Sequence, residues 1–111
     1  MLPGTRIILA VVLIASPLAQ AGAAATIIGA GPDSCEIWTA DHQAERVDWV
    51  GDVEWVLGFL SGIGIGSSGV FDPLNGLEAS AVVAWMDSYC LDHPLEQITD
   101  AGQAFVRAHS H

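Results

Sequence analysis

The chain has 111 residues, enough for one small domain, and carries thirteen acidic residues against three arginines, a formal charge of -10. So acidic a surface repels nucleic acid and anionic lipid headgroups, which argues against both as partners. A basic partner, or a site that becomes neutral in acid, fits the charge.

Residues 1–25 read as an export signal. Arg6 supplies a positive start, Ile7 to Ala15 form an apolar run, and Ser16-Pro17 breaks it. Small residues then place cleavage after Ala21 or Ala25. The apolar run falls short of the about 20 residues that span a bilayer, so no stable span is expected after cleavage. An uncleaved anchor is the alternative. No cysteine follows closely enough for lipid attachment. The mature domain, residues 26–111, then keeps all the acids against Arg46 and Arg107.

Thr26 to Pro32 is a short apolar lead-in broken by glycines, an arm or single strand with no evident pairing partner. Asp33 and Glu36 stand three apart, the spacing of a helix start. A short helix follows, carrying Cys35 and Trp38 and ending by Asp41-His42. A longer helix is expected from Gln43. Trp49, Val53, Val56 and Leu60 fall on one of its faces, and Asp48, Asp52 and Glu54 are expected to face water. Its centre, Trp55-Val-Leu-Gly-Phe-Leu-Ser-Gly62, is apolar all round, as in a helix buried among others. Gly58 and Gly62, four apart, predict a face on which another helix packs closely.

Ser67 to Gly76 is dense in turn residues and forms the main loop. Leu77 to Cys90 predicts the next helix, with Leu77, Ala81, Ala84 or Trp85, and Ser88 on successive turns. Asp92-His93-Pro94 breaks it, and Pro94 is placed as the first residue of a last helix. Leu95, Ile98, Gly102 and Phe105 line one side of that helix. The expected fold is all-α: a small bundle of three main helices plus a short first one. In a short exported chain, two lone cysteines imply a Cys35–Cys90 disulfide. Closing that loop contributes about 4 kcal/mol in the chain-entropy model. Two free thiols are the alternative.

No constellation points to catalysis. Gly64-Ile-Gly-Ser-Ser-Gly69 matches a dinucleotide fingerprint by letter but follows a helix, where the motif needs a strand. Ser61 lies outside any nucleophile elbow. His42, His93, His109 and His111 lack ligand spacing, so neither a metal nor a cofactor is expected. The tryptophans are core residues in the first instance. Trp38, Trp49 and Phe71 are retained as a candidate partner surface, because aromatic side chains anchor interfaces.

Cys35…Trp38, Trp55 to Gly62, Asp72-Pro-Leu, Trp85-Met-Asp-Ser-Tyr-Cys90 and His93-Pro-Leu-Glu-Gln-Ile98 together resemble small exported bacterial proteins of unassigned role. The layout is similar to the Tai-type immunity proteins, which neutralise type VI secretion amidase effectors in the periplasm. It is more distantly similar to the HdeA/HdeB acid-stress chaperones, which are lysine-rich where this chain has no lysine. The resemblance implies a helical, disulfide-bonded periplasmic or secreted protein. The expectation is therefore a non-catalytic binder of another protein, of the immunity kind, with an acid-stress chaperone second and a small enzyme third. A homodimer is left open.

Overall fold

Four helices form within residues 25–110, the part of the protein that the computed structural model describes. They are α1 (Cys35–Gln43), α2 (Trp49–Gly66), α3 (Ala79–Asp92) and α4 (Ile98–Ala108). The export signal expected over residues 1–25 lies, except for its last position, outside the described residues. Among the described residues there is no strand, and a single antiparallel bridge pairs Ser34 with Gln97. No helix there is long and apolar enough to cross a membrane. The fold is an all-α bundle of three longer helices and a short leading one.

The core is built where the stripes meet. Val56 and Leu60 of α2, Val82, Met86 and Cys90 of α3, and Ile98, Ala101 and Phe105 of α4 surround Cys35 and Trp38 of α1. Each of these is at most 1% exposed. The Cys35–Cys90 disulfide joins the first residue of α1 to the last turn of α3, with 4.8 Å between the Cα atoms. Such a bond belongs to an oxidising environment.

The glycine-rich arm before α1 does have a partner. Thr99 N–H donates to Gly31 O at 2.9 Å, and Ile98 N–H donates to Asp33 O at 2.8 Å. The indole of Trp55 donates to Ile28 O at 2.8 Å. A Cβ on Gly29 would come within 2.7 Å of the Trp55 ring, and Gly29 also sits at φ +100°. Only glycine takes that backbone without strain beneath a large ring. In return, the turn before α4 caps α1. Cys35 N–H donates to Glu96 O at 2.7 Å and Glu36 N–H to Pro94 O at 3.1 Å. The side-chain cap of α1 is Ser34, whose Oγ accepts from Ile37 N–H at 3.3 Å.

Several expectations are corrected. The inward face of α3 is Val82, Met86 and Cys90, while Leu77, Ala81, Ala84 and Ser88 are exposed. The disulfide sets that rotation, because Met86 and Val82 lie one and two turns before Cys90. Pro94 does not open the last helix. It belongs to the capping turn, α4 starts at Ile98, and Leu95 is 89% exposed. Asp100 Oδ2 accepts from Gln97 N–H at 2.9 Å at that start.

Gly58 and Gly62 are exposed, and a Cβ on either would meet nothing within 4 Å. Their face of α2 looks to solvent because Val56 and Leu60 turn the opposite way. The close approach of two helices occurs at buried Gly102 of α4, where a Cβ would stand 3.1 Å from the Phe59 ring of α2.

Candidate functional site

Two acids are buried where α1 hands the chain to α2. Asp41 in the last turn of α1 is 4% exposed, and Asp52 in the first turn of α2 is 3% exposed. The expectation that Asp52 faces water is therefore wrong. Asp52, Val56 and Leu60 recur every four residues on the inward face of α2. The link between the helices is short and sharply turned. Arg46 N–H donates to Asp41 O at 2.9 Å, and Glu45 adopts a φ of 49°.

The Asp52 carboxyl stands close to that of Asp41, which acts to raise its pKa. The pKa of Asp52 is pushed up to about 7, chiefly by burial, then by the neighbouring Asp41 carboxyl and the charges of Asp33 and Asp48. Two like charges this close cannot both ionise cheaply in a poorly solvated site. Asp52 Oδ2 receives no hydrogen bond from any donor of the described residues. Among the described residues a single cation offsets the pair: Arg46 Nη1 lies 3.5 Å from Asp41 Oδ1, on a side chain 58% exposed. The pair opens onto a groove of about 770 Å³, which Asp33, Arg46, Asp48 and Trp55 also line.

A different arrangement lies between α1 and α3. Asp87 Oδ1 accepts from the Trp38 indole N–H at 2.9 Å and pairs with His42 Nδ1 at 2.9 Å. His42 stacks on Trp49 with 4.0 Å between ring centres, and Trp49 meets Trp38 edge-on at 4.7 Å. Thr39, His42, Gln43, Asp87 and Leu91 line a smaller hollow of about 310 Å³ beside them.

The other described histidines are held structurally. His93 Nδ1 bonds Tyr89 O at 2.9 Å and His109 Nδ1 bonds Phe105 O at 2.8 Å, each ring stacked on the aromatic ring one turn earlier. Tyr89 O–H donates to Glu96 Oε1 at 2.7 Å, and this bond is the main reason the pKa of Tyr89 is raised. No group of three or more His, Cys, Asp or Glu residues that could hold a metal ion occurs among the described residues.

Of the residues proposed as a partner surface, Trp38 is wholly buried and cannot be one. Trp49 is half-buried beneath His42, and Phe71 is half-buried in the α2–α3 loop, where Ser67 Oγ bonds its backbone N–H and carbonyl. The structure does not bring these three together as one exposed face. Asp41, Asp52 and Arg46 are the site residues that sequence reasoning missed. The four-residue spacing of Asp52 to Val56 and Leu60 was the available signal. No family model, characterised protein or solved structure matches the chain.

Proposed function

We propose that this is an exported, non-catalytic binding protein that receives a basic segment of another protein in the groove between α1 and α2. The observation that carries the reading is the groove itself, where four aspartates converge and Arg46 is the one cation. In a molecule of formal charge -10, that groove concentrates the field and attracts cationic partners. The disulfide and the absence of a membrane-crossing helix among the described residues fit a periplasmic or secreted setting. An immunity-type inhibitor of a toxin effector is the form that the sequence resemblance suggests. Neither site offers a hydroxyl or thiol nucleophile held by a base, which supports a binder over an enzyme.

The acid-stress chaperone is the weaker reading. Such a protein must loosen in acid, whereas a raised carboxyl pKa makes the native state more stable as pH falls toward 4. The test is affinity capture from periplasmic extract by the disulfide-bonded protein, alongside a variant with Asp33, Asp48 and Asp52 changed to Asn. A basic protein retained by the native chain, released by salt and lost with the variant is the expected result. Equal capture by both chains would place the partner elsewhere on the surface.

A further inference from the structure

We infer that the Asp41–Asp52 pair is the specific seat of one cationic N–H group of the partner, a guanidinium or ammonium, which supplies the donor that the buried Asp52 Oδ2 lacks. The inference rests on the acidic-groove reading and names the chemistry at its floor.

Three observations carry it. First, one oxygen of Asp52 lacks a donor. Asp52 is 3% exposed, it lines the groove, and its Oδ2 receives no hydrogen bond from the described residues. A buried carboxyl in that state needs a proton or an N–H group to satisfy it. Second, the approach is open to a guanidinium. Arg46 of this same chain reaches Asp41 Oδ1 from the groove side, but at 3.5 Å it stands beyond good hydrogen-bonding distance. A mostly exposed arginine at the mouth marks the path a partner's arginine would follow. Third, the surroundings favour a cation over an anion or a neutral group. Asp41 of α1, Asp33 of the arm and Asp48 of the link all act on Asp52 with negative charge, and Arg46 offsets them through Asp41.

The exchange balances. One proton leaves the pair to solvent as one N–H cation takes its place, and no covalent bond changes. Binding is therefore linked to pH. Because Asp52 holds its proton up to about pH 7, affinity weakens about tenfold from roughly pH 8 to pH 6.

The experiment is calorimetry of the exported, disulfide-bonded protein with a blocked pentapeptide of alternating glycine and arginine at low salt. Each pH is run in two buffers of different ionisation enthalpy. Close to one proton should be released per peptide near pH 6, and almost none near pH 8.5. Asp52→Asn keeps the shape of the side chain and removes its charge. It should bind at least tenfold more weakly near pH 8 and release no proton, with an unchanged near-ultraviolet spectrum showing that it is folded. If Asp52→Asn binds like the native protein while Asp33→Asn/Asp48→Asn binds weakly, the seat is wrong and the groove reading stands. If the peptide does not bind at low salt near pH 8, both fail.

Discussion

Helix α1 (Cys35–Gln43) meets one acid from α2, which is buried, and another from α3, which is about a third exposed, and the two find different partners. Asp87, coming from α3, meets two donors, the Trp38 indole and His42. Asp52, coming from α2, lies against a second carboxyl, and its Oδ2 receives no hydrogen bond from the described residues. The first arrangement fixes two helices together with charge-assisted hydrogen bonds that need no extra proton. The second is satisfied only when something is added from outside. On the proposed function, the α1–α3 contact serves structure and the α1–α2 contact serves binding.

Removing the covalent tie should give the largest effect, because it lies on the α1–α3 side. Changing Cys35 and Cys90 to serine should lower unfolding free energy by about 2–5 kcal/mol, read by urea denaturation. An unchanged midpoint would mean that α1 is held elsewhere. Next comes the polar tie on the same side. Asp87→Ala leaves the buried Trp38 N–H unpaired and should cost about 1–3 kcal/mol, whereas Asp87→Asn retains an acceptor and should cost less than half as much. If the two variants behave alike, the Trp38–Asp87 bond contributes nothing. The smallest effect concerns the glycines. Gly58→Ala adds a Cβ to an exposed helix position with open space and should stabilise by about 0.5–1 kcal/mol. Gly102→Val must push against Phe59 and should instead destabilise.

What could be read in the sequence divides along the same line. On the α1–α3 side the disulfide was legible, since two cysteines in an acidic, exported-looking chain have one way to pair, whereas the tie of Trp38 and His42 to Asp87 was not. The helices were legible from their apolar spacing, although the phase of α3 was not. Ala81, Ala84 and Ser88 look as good a stripe as Val82 and Met86 until the buried cysteine is used to choose between them. Gly58 and Gly62 misled because spacing alone cannot say whether a small-residue face meets a helix or water. Asp52 was missed for a related reason. In a chain with thirteen acids, an aspartate is assigned to the surface by habit, even one that sits a turn before Val56. The pairing of Asp52 with Asp41 depends on the sharp link at residues 44–48, a geometry that no local pattern encodes. The pairing of the arm with the start of α4 is likewise a contact between distant segments.

The central claim is that Asp52 is buried against Asp41 and keeps its proton to about neutral pH. The direct measurement compares urea-unfolding free energies of the native protein and Asp52→Asn between about pH 4.5 and pH 8.5. The folded pKa, about 7, lies above the ordinary value of 3.8. Its stabilising contribution is therefore complete below about pH 4 and is lost as pH rises through 7. The difference between the two curves should favour Asp52→Asn increasingly as pH rises, at up to about 1.4 kcal/mol per pH unit, and flatten above pH 7. Two parallel curves over the whole range would show that Asp52 titrates as an ordinary surface acid and would contradict the account.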